Sequence, residues 1–135
     1  MTERENDMNI KDIMNLRSVF AKRRNEVLSV RLSLKLLKFK KATEAEAEIY
    51  AERLKRILHA CAEVDESGAF VRSGEGGIVL KPGRREEYCS QMQELEETET
   101  DVMISITEAE AEEMKLTLEE FEVIFGFTEE VEKNA

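Results

Sequence analysis

The sequence predicts an α+β domain made mainly of helices, with an antiparallel helix pair, one long helix and a small antiparallel sheet. Three observations carry that expectation. Only one proline and six glycines interrupt 135 residues. Charged residues make up 37% and apolar residues 41%, a balance that suits helices with one wet face. Apolar residues recur at steps of three and four through the N-terminal half, while turn-forming residues gather near the middle.

The elements follow in order. Residues 1–8 are polar and read as a flexible end. Asn9 is placed to cap a first helix, with Asp12 completing the capping pattern. Ile10, Ile13, Met14, Arg17 and Phe20 then recur at helical spacing. Lys22, Arg23 and Arg24 suit the negative end of that helix's dipole, and Asn25 suits a stop.

The next segment has two readings. Leu28, Val30, Leu32, Leu34 and Leu36 alternate with Ser29, Arg31, Ser33 and Lys35, which is a strand period. With Ser29 as a cap, Leu32, Leu36 and Phe39 instead start a helical stripe. That stripe runs on through Thr43, Ala47, Tyr50, Leu54, Ile57, Cys61 and Val64. Its length favours one helix over 30–64, antiparallel to the first.

Residues 65–68 end that helix. Two short runs, 69–72 and 78–81, flank the glycine-rich stretch 73–77 and predict a hairpin. No internal repeat is visible in the residues. After Pro82 and Gly83 comes a short helix with Tyr88, Met92 and Leu95 inward. Val102, Ile104 and Ile106 alternate with Met103 and Ser105, as a third strand would. Thr107 with Glu110 and Thr117 with Glu120 form two capping boxes. The second opens a helix over 118–125, with Gly126 at the position of a left-handed cap. The domain spans 9–127, and 128–135 reads as a loose end.

Charge divides the chain. The total is −10. Residues 1–41 hold eleven Lys/Arg against five Asp/Glu, and 42–135 hold nine against twenty-five. The basic segment from Lys22 to Lys41 contains one aromatic, Phe39, so base stacking has little support and direct nucleic-acid binding is not expected. These cations are expected to pair with acidic neighbours in the fold or in an oligomer. No apolar run reaches the roughly 18 residues of a membrane span, so no membrane partner is expected. The first residues lack the apolar core of a secretion signal. Two cysteines, Cys61 and Cys89, are too few for a secreted disulfide scaffold. A reducing cytoplasm is the expected setting.

The run VLSVRLSLKLLKFKKATEAEAEIYAERLKRIL resembles the start of a family of small phage and prophage proteins from Gram-positive hosts, a domain of unknown function. In that family a short helix precedes a segment of the type L-P-(V/I)-K-(L)-S-(F)-K-(L), and a long charged helix follows it. QELEETETDVMI is similar to the family's E-L-L-x-T-E-V-x-(I/L) stretch, and LTLEEFEVIFGFTEE to its L-T-P-x-E-(L/M) motif with trailing aromatics. The likeness covers most of residues 10–130. Ser29 and Leu118 stand where the family tends to have proline. The resemblance implies a phage or prophage origin and the host cytoplasm, and it brings no activity and no catalytic residues.

Reactive constellations are sparse. The single histidine, His59, lies two positions from Cys61, and residues two apart on a helix face different ways. Two cysteines and one histidine fall short of a zinc set. The stretch 73–77 matches neither a P-loop nor a GxGxxG fingerprint. No catalytic, metal-binding or cofactor residues are therefore assigned, and no cofactor is expected. The candidates are partner-binding groups: the apolar cluster Phe121, Ile124, Phe125 and Phe127, the acidic row Glu44, Glu48 and Glu52, and the basic group Arg23, Arg24 and Arg31. The expected function is protein–protein binding by a phage-encoded accessory protein, without catalysis, on a host or phage macromolecule. The long apolar stripe also suits a homo-oligomer. One alternative is an acidic inhibitor that imitates nucleic acid to block a host defence or regulatory protein. Another is a small nucleotide-binding sponge.

Overall fold

The computed structural model describes residues 8–129. In it Asn9 opens helix α1 (Ile10–Ala21) as its spacing predicts. The Asn9 side chain accepts from the Asp12 backbone N–H at 2.8 Å, and the Asp12 carboxylate accepts from the Asn9 N–H at 3.2 Å. Ile10, Ile13, Leu16, Val19 and Phe20 are its buried stripe.

The expected single helix over 30–64 is two helices, α2 (Val30–Ala42) and α3 (Glu44–Cys61). The break falls at Thr43, whose backbone leaves the helical region at φ −110° and ψ 10°. Two side chains make that break stable. The fully buried Thr43 hydroxyl donates to the Phe39 carbonyl at 2.8 Å. Arg17 of α1 donates to the Thr43 oxygen at 2.7 Å and to the Lys40 carbonyl at 2.9 Å. The Phe39 carbonyl keeps its helical bond from the Thr43 N–H, and the Lys40 carbonyl, which a continuing helix would have satisfied from residue 44, is taken up from α1.

The expected antiparallel pair of α1 with a long helix is replaced by a wider arrangement. α3 packs chiefly on α4 (Arg85–Glu96), while α1 touches α3, α4 and α6 (Leu118–Ile124). Ile57, Cys61 and Leu95 are buried between α3 and α4, with Tyr50, Tyr88 and Met92 packed around them. A second, larger core holds Ile13, Leu16, Leu32, Ile106, Met114 and Ile124 fully buried. Phe20 and Phe39 meet there edge to face, with ring centres 5.4 Å apart.

The hairpin region carries a repeat that the residues conceal. Three short extended segments pair with one another in a closed ring through isolated antiparallel bridges, Ala62 with Leu80, Val64 with Phe70, and Arg72 with Ile78. The Val71 N–H donates to the Glu63 carbonyl, Val79 to Val71, and Glu63 back to Val79, at 2.9, 3.1 and 2.8 Å. The turns recur at the same eight-residue spacing: Gly68 bonds back to Asp65, Gly76 to Ser73, and Arg84 to Lys81. Gly68 and Gly76 sit at φ +90° and +91°, which side chains rarely adopt, so the repeat is one of backbone geometry and turn glycines.

Residues 102–106 do not join this ring as a third strand. Ile104 and Ile106 are buried and Met103 is exposed, so the alternation is real, but it serves the larger core. Ile106–Thr107 (β1) pairs in parallel with Thr128–Glu129 (β2). The small sheet expected to be antiparallel is therefore this parallel pair, beside the antiparallel bridges of the ring. Thr107 then caps α5 (Glu108–Met114) and Thr117 caps α6, both with complete capping boxes. Gly126 is not a left-handed cap, because α6 runs into a 3₁₀ turn, Phe125–Phe127. The left-handed residue is Lys115, which ends α5 at φ 55°. Met8, expected at a loose end, is buried, and its carbonyl accepts from the Thr100 N–H at 2.9 Å. The rest of the ends expected to be loose, 1–7 and 130–135, lies outside the described residues.

Candidate docking surface

Helix α2 carries five Lys/Arg and no carboxylate. It is clamped by the acidic C-terminal part of the chain. The Ser29 N–H and hydroxyl both donate to the Glu113 carboxylate, the hydroxyl at 3.1 Å. Lys35 Nζ donates to Glu110 Oε1 and to the Ser105 carbonyl, each at 2.7 Å. Burial pushes the Glu110 carboxyl up, but Lys35 and the Thr107 N–H outweigh it and hold the group below its usual range. Glu110 thus serves twice, in its own capping box and against Lys35.

Glu120 repeats that arrangement. It closes the Thr117 capping box and takes both guanidinium nitrogens of Arg23, in a pair with both side chains buried. Arg23 Nε also donates to the Met114 carbonyl at 2.8 Å. The Arg23 hydrogen bonds, followed by the Thr117 N–H, hold the Glu120 carboxyl down at about 2.

With one face of α2 held inward by Leu32 and Phe39, the opposite face is open. Val30, Leu34 and Leu37 are 76%, 51% and 48% exposed, and Val27 just before the helix is fully exposed. At i, i+4 and i+7 they form one apolar stripe. A groove of about 520 Å³ runs along one side, lined by Met14, Arg17, Phe20, Leu36, Leu37 and Lys40 among others. A second, of about 590 Å³, runs along the other side, lined by Arg31, Leu34, Lys35, Lys38 and Met103 among others.

The alternation in 28–36 now has its physical reason. Residues two apart on a helix differ by about 200° of rotation. Val30 and Leu34 therefore face out while Leu32 and Leu36 face in, and a strand-like pattern marks a helix with two apolar faces. Sequence reasoning passed over the outer stripe; its signal was the i, i+4, i+7 spacing of Val30, Leu34 and Leu37.

The sequence-selected residues divide the same way. Arg24 and Arg31 are exposed, but Arg23 is internal and occupied by Glu120, so it is not part of the surface. Ile124 is also internal, being completely buried in the larger core, and Phe127 packs partly against that core. Phe121 and Phe125 are exposed, joined by Leu118, which was not selected. Glu44, Glu48 and Glu52 lie exposed along one side of α3, with Glu52 accepting from Arg56 at 3.3 Å.

The reactive side chains do not converge. His59 is exposed and leans on Phe70, with rings 5.4 Å apart. Cys61 is buried, and burial pushes its thiol up, away from the reactive thiolate. Cys89 is exposed. In the glycine-rich turn, the Glu75 and Gly77 N–H groups are taken by the Ser73 hydroxyl at 3.3 and 3.2 Å. Among the described residues no group of three His, Cys, Asp or Glu is placed to hold a metal ion, and no helix is long and apolar enough to cross a membrane. Comparison with protein-family models, with curated proteins and with solved structures found no match, so the outer faces of α2 and α6 direct the functional reading.

Proposed function

We propose that this chain is a non-catalytic binding protein whose work is done by the outer face of α2. The observation that carries the reading is the stripe of Val30, Leu34 and Leu37 on the outer face of a helix whose charged residues are all cations. Apolar side chains on a secondary element held in place from behind are good anchors, because little freedom is lost when a partner covers them. Arg24, Arg31, Lys38 and Lys41 supply a charged rim that steers and orients the encounter. Docking on a host or phage macromolecule in the host cytoplasm is the role that fits the family resemblance of the same segment. The glutamate row on α3 shares its helix with Arg53, Lys55 and Arg56, which makes it a poor likeness of a phosphate backbone.

Affinity purification of the full chain from the organism that encodes it tests the reading. Leu34→Asp with Leu37→Asp is expected to abolish co-purification of the protein retained by the unsubstituted chain. Both sites are about half exposed, so circular dichroism and the melting temperature are expected to stay close to the parent's. Unchanged retention by the doubly substituted, folded chain would refute it.

A further inference from the structure

We propose that the outer face of α2 is the docking site for α6 of a second copy of this chain. The inference rests on the binding reading above and names the partner of that surface. A second apolar patch in the same chain has the complementary chemistry. Leu118, Phe121 and Phe125 are 80%, 37% and 70% exposed, at i, i+3 and i+7 along α6 and the turn after it. Ile124, between them in sequence, is the residue that points inward. The flanking Glu119 and Glu122 are exposed. α6 holds no Lys or Arg, and α2 holds no Asp or Glu.

The two patches are complementary in chemistry and in length. Each stripe runs from a residue to its i+7 neighbour, about 10 Å at 1.5 Å per residue. One is apolar with a cationic border, the other apolar with an anionic border. The chain already uses this chemistry internally, where Lys35 meets Glu110 and Arg23 meets Glu120. Those pairs are closed within one molecule, whereas Lys38, Lys41, Glu119 and Glu122 remain exposed. Each copy carries both halves, so the contact closes reciprocally into a dimer or continues head to tail.

Sedimentation velocity of the purified full chain over a dilution series at low salt reads this directly. The unsubstituted chain is expected to sediment above the monomer, with weakening at high salt. Lys38→Glu with Lys41→Glu cancels the cationic border that the acidic α6 patch would meet, and Glu119→Lys with Glu122→Lys makes both patches basic, so each double variant is expected to be monomeric. The quadruple variant, and an equimolar mixture of the two doubles, are expected to regain the assembly. All four sites are exposed, and circular dichroism checks that each variant is folded. A monomeric parent at every dilution, assembly unaffected by either reversal, or a folded quadruple variant that stays monomeric would overturn the proposal. If the parent is monomeric while Leu34 and Leu37 still govern retention of a different protein, the second-copy inference fails and the binding reading stands.

Discussion

Glu120→Gln is expected to destabilise the fold by about 3–5 kcal/mol, the cost of leaving a buried partner charge uncompensated. Glutamine still suits the third position of the Thr117 capping box, so the change isolates the charge from the cap. What it strands is Arg23, whose side chain is only 7% exposed. Chemical denaturation of the parent and the variant measures the difference. Arg23→Met with Glu120→Leu removes both charges and is expected to be less destabilised than Glu120→Gln alone, because no buried ion is then orphaned.

The same pair sets an acid limit. The folded Glu120 carboxyl lies at about 2, below its ordinary 4.5, so the folded state binds fewer protons than the unfolded one. A depressed folded value means the stabilisation is fully present above about pH 4.5 and is lost as the pH falls toward 2. Glu110, also held low, adds in the same direction. Stability followed by denaturation from neutral pH downward is expected to fall in that window, and the fall is expected to be shallower in the Arg23→Met, Glu120→Leu variant.

Ile124→Asp and Phe125→Asp, one residue apart, are expected to behave oppositely. Ile124 is fully buried in the larger core, so a carboxylate there would sit among apolar side chains. The loss is expected to exceed about 4 kcal/mol, enough to unfold a domain of ordinary stability. Phe125 is mostly exposed, so its replacement is expected to change stability by less than about 1 kcal/mol. Thermal melts followed by circular dichroism separate the two outcomes.

That contrast shows what the sequence could convey. Local signals read well. The Asn9, Thr107 and Thr117 caps, the inward Leu95 of α4 and the turn glycines each depend on a few neighbouring residues, and each stands in the structure. What failed depended on distant groups. Nothing near Thr43 announces a break; Arg17, twenty-six positions earlier, helps to make it. The basic segment was expected to pair with acidic groups, but Arg23 was also selected for docking, because its own partner Glu120, ninety-seven positions later, is invisible from its neighbourhood. The alternation at 102–106 correctly marked Ile104 and Ile106 as inward, but the strand is only Ile106–Thr107, and its pairing partner at 128–129 lay in a stretch read as loose. The apolar cluster at 121–127 was identified as a group, while its division into inner and outer faces needed the register of α6 against the core.

The outer face of α2 bears the weight of the functional reading, and a photo-reactive side chain placed at Leu34 tests it most directly. In cells of the organism that encodes the chain, irradiation is expected to give a discrete covalent adduct from Leu34 and none from the same group placed at Glu66 on the ring's exposed turn. Absence of an adduct at Leu34, with efficient cross-linking at Glu66, would contradict it.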